Sequence, residues 1–215
     1  MTKKTLQELL DATDPIWPHI QDWILQSSNH IVYYVSDKSK AESELEHYQV
    51  SLRAAFGAVI WETSGMLILN KWIKMLGSDG NNEIPSIKKW NDAYVKDYGI
   101  IVVGYDILGG FFALNAGKFQ DHPGNVFYFA PDTLEWEDLE MGYTQFLNWL
   151  CMGNIVDFYQ PYLWDGCFDE SIQSDVTKGF HFYPPLWTKS DSRSRRLVPQ
   201  TELWAMQQHI RKNIM

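Results

Sequence analysis

Between residues 99 and 140 the chain passes through four short stretches, GIIVVG, FFALN, NVFYFA and LEWEDLE, each bounded by Gly, Asn, Asp or Pro. Segments this short and rich in β-branched and aromatic residues, joined by a few turn-forming residues, leave no room for the crossovers that parallel strands require. They predict consecutive antiparallel strands. The last of them, Leu134 to Glu140, alternates apolar and acidic residues, which is the period of a half-buried strand. The paired glycines of GYDILGGFFALN, Gly109 and Gly110, fall directly before one of these strands. A phosphate-cradling loop would open a helix and carry a P-loop or GxGxxG spacing, and neither is present. Gly109-Gly110 is therefore read as a turn between strands, with both glycines supplying positive φ and leaving room for Phe111 and Phe112.

Helical periodicity surrounds these strands. Thr5 to Asp11 is helical in pattern, and Asp14-Pro15 reads as an N-cap followed by proline at the first helical position of a helix carrying Trp17, Ile20, Trp23 and Ile24. HIVYYV at 30 to 35 predicts a strand, and Lys38 to Arg53 a charged helix. AVIWET and MLILN, at 58 to 63 and 66 to 70, read as two strands of a hairpin turning at Ser64-Gly65, with WIKML extending the region. A loop at 77 to 82 precedes a short helix entered at Pro85, and YTQFLNWLCM forms a helix with Phe146, Leu147 and Leu150 inward. Beyond Asn154 the pattern is less regular, with FHFYPPLW, a basic polar loop at 188 to 196 and a terminal helix from Thr201. The expected fold class is α+β, a mainly antiparallel central sheet with flanking helices. The 215 residues are expected to form one domain, a core over about 30 to 153 with an extension over about 154 to 215 packed on it.

Charge narrows the partners. A net charge of −9 opposes attraction to phosphate backbones and anionic membranes, so neither a nucleic-acid nor a membrane partner is expected, whereas a basic protein would be steered toward the surface. Cys151 and Cys167 form no metal spacing and suit a reducing compartment, and the charged N-terminus does not read as a signal peptide. A cytoplasmic location and no cofactor are expected.

Candidates for chemistry are few. Asp132, Glu135, Glu137 and Asp138 cluster in APDTLEWEDLE, and on a strand Glu135 and Glu137 would share one face about 7 Å apart. Paired carboxylates can serve a hydrolase, but sequence proximity also produces an ordinary solvated acidic face. The six histidines are dispersed, without an HExxH pair, and neither cysteine sits in a nucleophile motif. Phe127, Tyr128 and Phe129 with Trp136 offer either core packing or a sugar- or peptide-binding platform on one strand face. Trp136, Phe112 and Phe146 lie on the apolar phases of their elements and are expected in the core.

The segments GYDILGGFFALN, GNVFYFAPDTLEWEDLEMGYTQFLNWL and FYPPLWT, taken in order, make the chain resemble an uncharacterised bacterial domain family of unknown function over nearly its whole length. The middle, about residues 80 to 150, also resembles the SUKH superfamily, which includes immunity proteins of bacterial polymorphic toxin systems. Gly104, Gly109, Gly110, Phe112, Leu114, Val126, Tyr128, Trp136, Phe146 and Leu150 stand at that pattern's positions. The resemblance implies a non-enzymatic protein that neutralises a toxin by binding it. Asp106, Asp121, Asp132, Glu135, Glu137 and Asp138 are expected to form the acidic edge that meets such a partner. A hydrolase centred on Glu135 and Glu137, and a glycan- or peptide-binding module using exposed aromatics, are the alternatives.

Overall fold

The computed structural model describes residues 3–11, 13–80, 83–95 and 99–214, and the side chain of residue 214 is not included. Seven strands form one antiparallel sheet: β1 (Val32–Val35), β2 (Thr63–Ile68), β3 (Ile73–Met75), β4 (Ile100–Asp106), β5 (Phe111–Asn115), β6 (Asn125–Phe129) and β7 (Trp136–Gly142). They lie in sequence order, each paired with the next, so the sheet is a meander with β1 and β7 at its edges. A separate hairpin pairs β8 (Lys178–Tyr183) with β9 (Ser194–Pro199).

Helices cover both faces. One side holds α2 (Trp17–Gln26), α4 (Ala55–Glu62), α6 (Tyr143–Met152) and α7 (Ile155–Tyr159), with α1 (Leu6–Leu10) and α3 (Lys38–Tyr48) outside them. The other holds α5 (Ile87–Tyr94) and α9 (Gln200–Ile214), and α8 (Cys167–Gln173) joins α7 to the hairpin. Adjacent residues of β5 show the division: Phe112 meets Phe146 of α6 at 5.0 Å between ring centres, whereas Phe111 meets Trp204 of α9 at 4.7 Å. Successive side chains of a strand point to opposite faces. A sheet covered on both sides needs apolar residues in both phases, and aromatic rings fill the gaps between layers. The abundance of Trp, Tyr and Phe follows from this architecture. Beneath α9 the tail also joins the sheet's turn directly, Phe180 donating its backbone N–H to the Ile107 carbonyl at 2.6 Å.

Strands form within the stretches expected at 30–35 and across 99–140, the helix expected over 38–53 forms but ends at Tyr48, and YTQFLNWLCM is helical over Tyr143–Met152. Four readings are corrected. AVIWET does not extend: Ala55 to Ile60 are all buried within α4, and a short apolar run surrounded by core satisfies a buried helix as well as a strand. Ser64 and Gly65 consequently lie inside β2 and do not turn the chain. The turn is made instead by Leu69, Asn70 and Lys71, all at positive φ, where Trp72 N–H closes onto the Leu69 carbonyl at 3.0 Å. α2 begins at Trp17 behind Ile16, not behind Asp14-Pro15. Part of the basic segment 188–196 is the start of β9, because the Arg195 guanidinium lies over the Trp164 ring at 4.2 Å and pairs with Glu170, which fixes a charged strand on an aromatic surface. Of the loop expected at 77 to 82, residues 81 and 82 lie outside the described residues. Among the described residues no helix is long and apolar enough to cross a membrane.

Candidate functional site

The turn at Gly109-Gly110 is built around a buried carboxylate. Asp106 ends β4 with no exposed surface. Its Oδ1 accepts the N–H groups of Leu108 at 2.9 Å and Gly110 at 2.8 Å, and its Oδ2 accepts the hydroxyls of Tyr128 at 2.6 Å and Tyr159 at 3.0 Å. Burial pushes the Asp106 carboxyl above its ordinary range, against these four donors. Only Gly109 has positive φ; Gly110 is required for a different reason, since a Cβ there would collide with the Tyr128 hydroxyl and the Asp106 carboxylate. Asp106 therefore cannot belong to an exposed acidic edge. A carboxylate with four internal donors is satisfied where it is, and it ties the β4–β5 turn to β6 and α7.

The remaining five acidic residues divide into two groups along the β7 edge. Asp132, Glu135 and Glu137 form the first. Glu135 is in the turn ahead of β7, not on the strand face beside Glu137, because Leu134 at positive φ redirects the chain and Ala130 N–H bonds to the Glu135 carbonyl at 2.9 Å. Tyr162 donates its hydroxyl to Asp132, and Thr133 donates to Glu137 at 3.4 Å. Burial, then the charges of Asp132 and Glu135, push the Glu137 carboxyl above the usual range, so the three carboxylates feel one another. None of the three has an ion-pair partner among the described residues. Arg193, the cation nearby, donates instead to the carbonyls of Ser190 and Thr188. Asp121 and Asp138 belong to the second group. Asp138 accepts from His122 at 2.5 Å and from Asn125 at 3.1 Å, and the His122 imidazole is raised by that bond and by the charges of Asp138, Asp121 and Glu140. This half of the edge has an imidazole bonded to it.

Of the two readings of the β6 aromatics, the structure shows core packing, and of the three expected core residues only Trp136 departs. Phe127 and Phe129 do face one way and Tyr128 the other, but all three are buried, Phe127 stacking on Phe119 at 4.1 Å. Neither face of β6 is open as a platform. Phe112 and Phe146 are core residues. Trp136 is only half-buried: its ring rests against Phe129 at 5.2 Å, and its other side lines an open cavity.

That cavity was not anticipated. It has a volume of about 990 Å³ and lies between α9, the end of α5 and the β5–β6 loop. Trp204, Gln208 and Arg211 supply the α9 wall, and Trp136, Tyr94 and Lys118 face them. Positions 204, 208 and 211 lie one helical turn apart, on one stripe. The one signal of the cavity in the sequence is a glutamine and an arginine continuing a tryptophan stripe at helical spacing. Among the described residues no group of three or more His, Cys, Asp or Glu is arranged to hold a metal ion. Both cysteines are buried, and burial pushes the Cys151 thiol up to about 12, away from nucleophilic use.

Comparison with known proteins gives the family. The model for "Protein of unknown function DUF2625" matches residues 6–203. A putative uncharacterized protein, YbfG, of Escherichia coli K12 is 34% identical over 212 residues, covering 97% of this chain and 98% of the relative. An uncharacterized protein of Haemophilus influenzae is 34% identical over 191 residues, covering 85% and 82%. No solved structure matches. With a family model spanning most of its length and relatives aligned over more than four-fifths of both chains, the chain belongs to the DUF2625 family of unknown function.

Proposed function

We propose that this protein is a non-catalytic binding protein that takes a basic protein partner against the β7 edge, in the manner of an immunity protein that occludes a toxin. One observation carries the reading: Asp132, Glu135 and Glu137 crowd together at an edge strand with no cation paired to any of them among the described residues. Like charges held close destabilise the isolated protein, and a partner of opposite charge relieves that repulsion while accelerating encounter. An edge strand also offers unpaired backbone groups to a partner chain. The SUKH-like pattern of turns and aromatics over residues 80 to 150 supports an immunity role, and the acidic balance of −9 agrees with a basic partner.

A second reading draws on Glu137. Burial and the Asp132 charge push the Glu137 carboxyl above the usual range, the direction a general acid requires, so Glu137 with Asp132 would act in hydrolysis. The two readings separate in one experiment. A partner isolated from the native cell by cross-linking is purified and its association with this protein followed, while glycan and peptide substrates are assayed in parallel. Binding that weakens in the Glu135→Gln, Glu137→Gln double variant supports the binding reading. Substrate turnover lost in the same variant overturns it in favour of the hydrolase.

A further inference from the structure

The cavity between α9 and the β5–β6 loop is lined by cations in an acidic chain. In a chain of net charge −9, the cationic residues Lys118, Arg211 and Lys212 line it, and no carboxylate does so among the described residues. A basic residue in the last turn of a helix is ordinarily explained by the helix dipole, and Lys212 needs no other account. Arg211 does. Its Nε is buried within the wall without a hydrogen-bond partner, and so is Nε2 of Gln208, one turn earlier on the same stripe. Arg211 makes no ion pair with any described residue; its guanidinium is held 5.9 Å from the ring centre of Phe129. Buried donors are almost always satisfied, and these two leave Arg211 and Gln208, one turn apart on the cavity wall, with hydrogen-bonding capacity that no described residue uses. Lys118 comes from a different element, yet its amine is lowered by burial and then by the charge of Arg211, which shows the two cations are brought near each other.

The other walls are flat and apolar. Trp136 is half-buried, and Trp204, only 7% exposed, is fixed by its indole N–H donating to the Tyr94 carbonyl at 3.1 Å and by edge contacts with Phe111 and Phe129. Rings held rigidly in this way lose little entropy when a planar body is laid on them. We propose that this cavity is a binding site for a small organic anion with a planar ring, its phosphate or carboxylate held by Arg211 and Gln208 and its ring placed against Trp136 and Trp204. The site shares Trp136 with β7, but none of Asp132, Glu135 or Glu137 lines it.

Naphthyl phosphate, naphthoic acid, neutral naphthol and inorganic phosphate serve as probes, with binding followed by titration calorimetry and by tryptophan fluorescence on the full chain. The expected result is saturable one-to-one binding of naphthyl phosphate, naphthoic acid or both, tighter than that of naphthol or inorganic phosphate. The two aromatic anions report whether the head group is a phosphate or a carboxylate. Affinity should fall about tenfold or more in Arg211→Gln, the loss expected for a charge-assisted hydrogen bond. Arg211→Lys should recover part of it, and Trp136→Leu should weaken the aromatic probes more than inorganic phosphate. A thermal melt of each variant separates lost binding from lost folding. The Glu135→Gln, Glu137→Gln variant should bind the probes as the parent does. Failure of both aromatic anions to saturate the parent protein, or equal affinity in the parent and in folded Arg211→Gln and Trp136→Leu, would overturn the site. Naphthol binding as tightly as the anions would also overturn it.

Discussion

The hydroxyl of Tyr128 donates a 2.6 Å hydrogen bond to Asp106 through the space that a side chain at Gly110 would fill. Three residues from two neighbouring hairpins are thereby interdependent: the carboxylate needs the hydroxyl, and the pair needs glycine. Gly110→Ala should destabilise the fold sharply, because the clash is with a buried polar pair that has nowhere to go. Asp106→Ala leaves two tyrosine hydroxyls and two backbone N–H groups without their acceptor, at a cost of at least about 3 kcal/mol. Chemical denaturation of both variants checks this. A midpoint unchanged in either would contradict the role assigned to Asp106.

Lys74 gives a prediction with a sign. It lies in β3 with no exposed surface, and its Nζ has no hydrogen-bond partner. Burial lowers its amine to about 7 from an ordinary 10.5, Asp106 and Asp175 opposing the shift. Between these two values the unfolded chain binds more protons than the folded one, so stability should rise with pH, gaining about 2 kcal/mol from pH 7 to 9. Below about pH 7 both states hold the proton and this contribution is flat. Above about pH 10 the buried tyrosines reverse the trend, because Tyr105, Tyr128 and Tyr159 keep their protons longer folded than unfolded. Lys74→Met should be more stable than the parent at pH 7 and should lose the rise, measured by urea denaturation across this range.

Phe112 and Trp136 should respond differently to truncation. Phe112 is enclosed by Tyr128 and Phe146, and Phe112→Ala should cost about 3 to 5 kcal/mol. Trp136 is half-exposed, so Trp136→Ala should cost less, about 1 to 2 kcal/mol, from the lost contact with Phe129. Thermal melts of the two variants, run side by side, test the ordering.

The central strands were legible because β4 to β7 are short, bounded by turn residues and joined without crossovers, which leaves one plausible pairing. Three features were not, each for a physical reason. α4 is apolar on every side, and a fully buried helix loses the periodicity that would distinguish it from a strand. Asp106 looked exposed because it stands beside a turn, yet the residues that enclose it, Tyr128 and Tyr159, are 22 and 53 positions away in the chain. The Trp204, Gln208 and Arg211 stripe was hidden because its meaning depends on what α9 packs against, the sheet face presenting Phe111 and Phe129. The acidic run was conspicuous but overcounted, since its six members separate into one buried carboxylate, one group hydrogen-bonded to His122 and one group without a paired cation.

That last group carries the functional proposal, and the rate of partner association tests it most directly. The measurement is the association rate of the cross-linked partner with the parent protein and with Glu135→Gln, Glu137→Gln, at low and at physiological salt. The account predicts a rate that falls as salt rises and falls again in the double variant, whose melting temperature is equal to the parent's or slightly higher, since relieving like-charge repulsion at exposed positions changes stability by no more than about 0.5 kcal/mol. A rate indifferent both to salt and to the two substitutions would contradict it.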